Sequence, residues 1–243
     1  MLLYTAAERS DLFERTEIRQ GPEFLFHNQV ANRHWDKLAS VFAPFQLLLY
    51  DEEADAVVGK GFTIPFAWDG RPETLPDEGF DGVLEAGVAL AEQGRKATAL
   101  SALAAVIEPQ YQGRGLSTLL VDGMRSVAVR HALVALVAPV RPTWKERYPL
   151  TPLERYARWR REDGSAFDPW IRVHERLGGE IVRLAARSFT VEGTVAHWEE
   201  WTGLVFPESG DYIVKGALVP VTIDREADVG RYVEPNVWMR HPV

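Results

Sequence analysis

The residues best placed to do chemistry in this sequence are Gln112-Gly113-Arg114-Gly115-Leu116-Ser117. Two glycines let the main chain come close to a bulky anion, and Arg114 offers a charged donor. The setting gives the six residues their meaning. Ala97 to Ile107 (ATALSALAAVI) is a run of small, apolar and β-branched residues that predicts a buried strand. Glu108-Pro109 ends it, because proline has no N–H for the ladder. Beyond the loop Leu116, Leu119, Leu120, Gly123, Met124 and Val127 return at three- and four-residue spacing, which predicts an amphipathic helix. A glycine turn that opens a helix presents free N–H groups at the positive end of the helix dipole, so the expected ligand is a phosphate. An ordinary strand-to-helix turn would use the same residues.

Known phosphate loops differ in what they require. A Walker A loop ends in Gly-Lys-Ser/Thr, which is absent here. A dinucleotide fingerprint needs a third glycine where this chain has Thr118, and it belongs near the first strand of a βαβ unit rather than mid-chain. The third pattern fits: the stretch resembles motif A of the GNAT acyltransferases, Q/R-x-x-G-x-G/A, with Gln112, Gly115 and Ser117 at its defining positions. Ser117 stands where that family usually has Gly or Ala. The lead-in Pro109-x-Tyr111-Gln112-Gly113-x-Gly115-Leu116 is also similar to the family's. The resemblance implies that Gln112, Gly113, Arg114, Gly115, Leu116 and Ser117 hold the pyrophosphate of coenzyme A. It further implies that the backbone of Val106 and Ile107 pairs with the pantetheine arm and the acyl carbonyl.

A second stretch, Val173-His174-Glu175-Arg176-Leu177-Gly178-Gly179, is similar to the family segment written aromatic-Tyr-x-x-x-Gly-Phe. There the tyrosine is placed to protonate the departing coenzyme A sulfur. Histidine replaces it here and Gly179 replaces the phenylalanine. Histidine can do the job chemically, with an ordinary pKa near 6.5, so the resemblance implies His174 as general acid. A packed helix histidine bonded to a carbonyl is the alternative. Glu108 is the carboxylate nearest the reactive strand end. It can serve as general base if its pKa is raised or if it works through water; a solvated strand-end residue is the other reading. Ser101 cannot act as a base unaided.

Composition narrows the field. The 243 residues are 46% hydrophobic, enough for a sizeable core in one large domain or a domain with an appendage. No apolar run is long enough to span a membrane, and the first twenty residues lack the basic-then-apolar order of a signal peptide, so a cytoplasmic home is expected. With no cysteine there is no disulfide, thiolate zinc site or cysteine nucleophile. No metal is expected. The net charge of −8 argues against nucleic acid and mildly favours a cationic amine. Arg141 to Arg161 is rich in arginine, but Glu146, Glu154 and Glu162 interleave it, as on a solvated face.

The elements needed to position these residues follow from pattern. A helix is predicted over Pro22–Val41 and stopped by Pro44, then a hairpin of strands Phe45–Tyr50 and Val57–Phe66. A helix over Phe80–Gln93 ends at Gly94-Arg95. His131–Val140 reads as a second buried strand, with Pro139 and Pro142 marking where it leaves the sheet. Thr151-Pro152-Leu153-Glu154 has the form of a capping box. Asp168-Pro169 opens the helix of His174, and Glu180–Phe189 follows as a strand. The fold class is therefore α/β with a mixed sheet. The resemblance sharpens this to a mostly antiparallel sheet flanked by helices, with acyl-CoA in a gap between two splayed central strands.

The resemblance covers about residues 20–190, so an acyltransferase domain is expected over 1–190 and a C-terminal extension packed on it over 191–243. In the extension Trp198 and Trp201 share one side of a helix, and Gly216–Ile223 reads as a strand. The tail is expected to cap a sheet edge; the alternative is that Trp198, Trp201, Glu234, Asn236 or Trp238 lines an acceptor pocket. A dimer contact is equally open. The function implied is transfer of an acyl group, most simply acetyl from acetyl-CoA, to the amine of a small molecule by direct attack on the thioester. A longer acyl donor, held in a pocket lined by Phe62, Phe66 or Leu103, is the rival within the fold. A non-catalytic acyl-CoA sensor is the rival outside catalysis, and a nucleotide-binding protein the weakest.

Overall fold

Alternation of apolar residues along the strands decides how the layers assemble. The computed structural model describes residues 1–15 and 17–243. In chain order its strands are β1 (Leu2–Thr5), β2 (Leu47–Asp51), β3 (Ala56–Phe66), β4 (Ala99–Ile107), β5 (Leu136–Val140), β6 (Glu180–Gly193), β7 (Gly210–Tyr212), β8 (Val221–Asp224) and β9 (Val229–His241). Its α-helices are α1 (Ser10–Arg15), α2 (Gln29–His34), α3 (Asp36–Ser40), α4 (Gly79–Glu92), α5 (Leu116–Arg130), α6 (Leu153–Ala157), α7 (Pro169–Arg176) and α8 (Val195–Thr202). One sheet runs in the order β1-β2-β3-β4-β5-β9-β8-β7, with β6 paired to β9. Every pairing is antiparallel except β4 with β5.

Side chains on successive strand residues point to opposite faces, so α4 and α5 pack on opposite faces of the central strands. Leu47, Leu49, Val58, Leu100 and Leu136 face α5, which buries Leu116, Leu120, Met124 and Val127 against them. Ile64, Phe66, Ala99 and Val137 face the other way onto Val83, Leu84 and Val88 of α4. Close approach of α4 requires Gly87, where an added Cβ would lie 2.3 Å from the Ile64 side chain.

Several expected elements are placed differently. The single helix over Pro22–Val41 is a 3-10 turn (Glu23–His27) followed by α2 and α3. Asn28 breaks it, adopting an extended conformation so that its side chain can cap the Ala31 N–H at 2.6 Å. The strand expected over His131–Val140 is confined to β5, because His131 ends α5 and Ala132 turns the chain at φ 54°. The Thr151 capping box does not form: Pro152 is extended, and α6 starts at Leu153 without a side-chain cap. Of the strand expected over Gly216–Ile223 only β8 forms, since Gly216 turns at φ 85°. Asp168 caps α7 as expected, accepting from the N–H groups of Trp170 and Ile171.

The reading of the tail as a cap over a sheet edge is corrected. β9 lies inside the sheet, paired with β5 from Val237 to His241 and with β6 from Gly230 to Arg240. β6 itself runs without a break across position 190 to Gly193. Among the described residues no helix is long and apolar enough to cross a membrane.

Candidate active site

The parallel neighbours β4 and β5 touch only at their first residues, Leu100 with Leu136 and Ser101 with Val137. Beyond that they part. Ala102–Val106 on one side and Ala138–Val140 on the other face across a cavity of about 810 Å3. Two local features open it. Leu103 is the extra residue of a bulge, since Phe62 pairs with Ala104 and Thr63 with Ala102, and a bulge bends its strand. Pro139 has no N–H to offer across the gap. Although β4 is central, Ala102–Val106 remain half-buried. Their peptide groups on that side form an unpaired strand edge, which an extended chain can join as a further strand would. β5 does not leave the sheet at its prolines, as the sequence suggests; it leaves β4 and stays paired with β9 through Val140.

His174 lies in the cavity wall with Trp170, one helical turn before it. It is 3% exposed. Its Nδ1 is 2.8 Å from Nε2 of His241, while its own Nε2 has no hydrogen-bond partner among the described residues. Burial, reinforced by the nearby His241, lowers its pKa to about 3. The ring is therefore neutral at pH 7 when its neighbour is neutral. Where the GNAT pattern has a phenylalanine this chain has Gly179, and an added Cβ there would come within 2.7 Å of the His241 ring.

The opposite end of the cavity carries a buried polar cluster from β9. Glu234, 1% exposed, accepts from Arg141 Nε at 2.8 Å, Tyr232 Oη at 2.6 Å and Asn236 Nδ2 at 2.9 Å. Arg141 Nη2 also donates to the Gly216 carbonyl at 2.6 Å. Glu234, Asn236 and Arg141 all line the cavity. Burial alone would weaken the hold of Arg141 on its proton, but Glu234 reverses that and its pKa is raised. Lys60 of β3 also reaches the cavity, donating to the Phe13 carbonyl with its ammonium 4.3 Å from the Phe13 ring; burial lowers its pKa.

The glycine loop follows β4 at the cavity's strand end. Gly113 and Gly115 both turn left-handed, at φ 75° and 76°, and a Cβ on either would meet nothing within 4 Å. Among the described residues none of the amides of Gly113–Ser117 donates a hydrogen bond. Open space in front of free amides at the start of the fifteen-residue α5 is what a pyrophosphate requires. Gln112 ties the loop to the strand, donating to the Ile107 carbonyl at 3.1 Å, and Gln20 donates to the same oxygen at 3.0 Å. Arg114 is exposed and lies over the Tyr111 ring at 5.0 Å.

The expected site residues thus fall into groups. Val106 and His174 line the cavity, whereas Ile107 and Leu116 pack into the core facing α5. Glu108 is outside the cavity wall; its amide closes onto the Val58 carbonyl and it precedes the 3-10 turn Pro109–Tyr111. Of the tail residues, Trp198 and Trp238 are wholly buried core, while Glu234 and Asn236 meet the cavity. Phe62 and Leu103 line it, and Phe66 belongs to the core under α4. Sequence reasoning missed Arg141, Lys60 and His241. A lysine inside the apolar run of β3 was the one visible sign.

No family model matches the chain. It is 33% identical to the arginine N-acetyltransferase avaD of Aspergillus versicolor, over 99% of this chain and 93% of that protein. Two solved structures share its fold. The loading GNATL domain of CurA from Lyngbya majuscula superposes with a TM-score of 0.58 at 16% identity, over 99% of this chain and 96% of that one. The GphF GNAT-like decarboxylase in complex with isobutyryl-CoA superposes with a TM-score of 0.53 at 13% identity, over 100% and 99%. The chain belongs to the GNAT superfamily, as an N-acetyltransferase that moves an acyl group from acyl-CoA to an amine.

Proposed function

We propose that this enzyme acetylates the amine of a small acceptor carrying both a cation and a carboxylate, arginine being the case suggested by its relative, and that acetyl-CoA is the donor. The observation that carries this reading is the Glu234–Arg141 pair in the cavity wall. A carboxylate offers about four acceptor positions. Glu234 uses three, leaving one on Oε1 for a cationic group of the acceptor. Arg141 uses Nε and Nη2, leaving Nη1 for a carboxylate. An acceptor with both charges satisfies both vacancies; a simple amine satisfies one.

The rest of the chain then has consistent tasks. The amides of Gly113–Ser117, with Arg114 beside them, hold the pyrophosphate, and Gln112 holds the loop against the strand end. The free edge of β4 up to Val106 aligns the pantetheine arm and polarises the acyl carbonyl. Because the Ile107 carbonyl already accepts from Gln20 and Gln112, only its other groups remain for that task. His174 donates to the departing sulfur. Glu108, away from the cavity wall, takes the amine proton only through water. Residues 191–243 work within the same catalytic unit as 1–190, since β9 brings Glu234 and Asn236 to the cavity.

The test is release of coenzyme A thiol from acetyl-CoA with arginine and with citrulline, its neutral isostere. Arginine should turn over and citrulline should lose at least tenfold in kcat/KM. E234Q should raise the KM for arginine about tenfold or more, because a hydrogen bond to a charged group contributes about 1.5–3 kcal/mol, with the KM for acetyl-CoA unchanged. Equal rates with arginine and citrulline would overturn the assignment of Glu234.

A further inference from the structure

We propose that His241 is a positioning residue for acyl transfer: it passes a proton to Nδ1 of His174 as Nε2 of His174 gives one to the coenzyme A sulfur. The proposal rests on the reading of His174 as the donor to that sulfur. The geometry behind it is specific. Nδ1 of His174 and Nε2 of His241 are 2.8 Å apart, and the two residues are 3% and 0% exposed. Among the described residues, the outer nitrogen of each ring, Nε2 of His174 and Nδ1 of His241, makes no hydrogen bond of ordinary geometry. An orphaned ring nitrogen in a core, as at Nε2 of His174, is costly, about 1–3 kcal/mol. A pair kept only for packing would be better filled by leucine or phenylalanine. Of the two residues, His174 lines the cavity and His241 lies behind it.

Gly179 makes the pair possible. A Cβ at that position would meet the His174 carbonyl at 2.7 Å and the His241 ring at 2.7 and 2.9 Å. The two departures of this segment from the GNAT pattern, His174 for Tyr and Gly179 for Phe, are therefore linked in space by a third residue from the chain's last strand.

Burial lowers the pKa of both rings, but only His241 has neighbours that oppose the shift, so a shared proton rests on it rather than on His174. The Leu177 carbonyl, at the end of α7, favours the charged ring. From α5, Asp122 favours it and Arg125 opposes it, while Arg125 is itself held by the Pro242 carbonyl at 3.1 Å and lies 3.4 Å from Asp122. On β6 and β9, Glu180 and Arg240 engage each other at 3.6 Å. From α7 the facing titratable group is His174, whose own pKa is lowered to about 3.

The step balances. With the dyad singly protonated, the Nε2–H bond of His241 breaks and an Nδ1–H bond forms on His174. The Nε2–H bond of His174 breaks and an S–H bond forms on coenzyme A. Both rings end neutral. The proton lost is replaced by the one the attacking ammonium releases during the same turnover.

The experiment compares the parent with H174F, H241F and H241Q, reading kcat, the KM for acetyl-CoA, the pH dependence of kcat, and Tm. H174F should lose about 100-fold in kcat. H241F should lose at least tenfold in kcat with the KM for acetyl-CoA unchanged. H241Q keeps a donor for Nδ1 but cannot pass a proton on, so it should fold like the parent, stay slow, and lose the fall in kcat at high pH that the parent shows as the dyad empties. If H174F is impaired while H241Q matches the parent in kcat and pH profile, His241 is no relay and the reading of His174 stands. If H174F turns over like the parent, the underlying reading fails and the relay with it. H241Q carries the decision if H241F does not fold.

Discussion

Alanine at Gly113 or Gly115 separates the ligand's requirement from the fold's. Both residues sit at φ near 75°, a conformation that costs an L-residue about 1–2 kcal/mol. Nothing lies within 4 Å of the added methyl, so the loss of stability should stop at that backbone cost. For a chain of this size it corresponds to a fall in Tm of roughly 2–8 °C. The strain is present with and without ligand and so cancels from the binding equilibrium. If the amides of Gly113–Ser117 cradle a pyrophosphate, the methyl occupies the space it needs and displaces at least one charge-assisted amide bond. Such a bond contributes about 1.5–3 kcal/mol, and its loss weakens coenzyme A binding about 10- to 150-fold. Gly94 supplies the control. It is also left-handed, at φ 62°, and equally open, but it closes α4 rather than the loop. Titration calorimetry with coenzyme A, beside thermal melts of G94A, G113A and G115A, makes the comparison. Three similar falls in Tm, with affinity lost only in G113A and G115A, are expected. An unchanged Kd in the two loop variants would reduce the loop to an ordinary turn.

Three further outcomes follow from other parts of the molecule. Asp81 on α4 accepts from Asn28 Nδ2 at 2.8 Å and the Thr190 N–H at 2.9 Å, yet burial raises its pKa to about 7; its folded pKa thus exceeds its unfolded one, so stability should fall as pH rises from about 4 to 7, and D81N should flatten that slope in denaturant titrations run across the range. Gly230→Ala would place a methyl 2.1 Å from the fully buried Trp198 ring, so Tm should fall by several degrees in a thermal melt beside the parent. Phe62→Ala removes an aromatic wall whose ring packs, tilted, 4.8 Å from Trp35; each added methylene of the acyl donor should then gain up to about fourfold in kcat/KM relative to acetyl-CoA, and an unchanged ratio would place the acyl chain elsewhere.

What was legible in the sequence was local. The strand, glycine turn and helix around Gln112 follow from short-range pattern, and so does the Asp168-Pro169 start of the His174 helix, where one side chain caps two N–H groups. The central gap could not be read that way. It depends on a bulge at Leu103 against Phe62 and on pairing that stops after Ser101, both relations between strands. The break between the Glu23–His27 turn and α2 turned on one capping asparagine inside an otherwise helical pattern. The tail was hardest. Its thirteen-residue strand has Pro235 within it and polar residues at alternate positions, which reads as an edge until the opposing partners are known.

That alternation explains why one strand serves both ends of the reaction. Residues two apart on β9 share a face, so Tyr232, Glu234, Asn236 and Trp238 align. Tyr232 and Trp238 anchor the face in two separate cores. Glu234 and Asn236 between them reach the cavity, where β4 and β5 have already parted. Val237, Met239 and His241 occupy the other face; the first two pack with Ile171 of α7, and the third meets His174 on the same helix. Splaying β4 from β5 removes ladder hydrogen bonds that a closed sheet would keep. Pairing β9 with β5 on one side and β6 on the other keeps β5 in the sheet where it has left β4. A substitution that shifted the register of β9 by one residue would exchange the two faces, turning Glu234 and Asn236 out of the cavity and His241 away from His174 together. The charges proposed to select the acceptor and the imidazole proposed to feed the leaving sulfur are therefore fixed by the same ladder that holds β5 where it parts from β4.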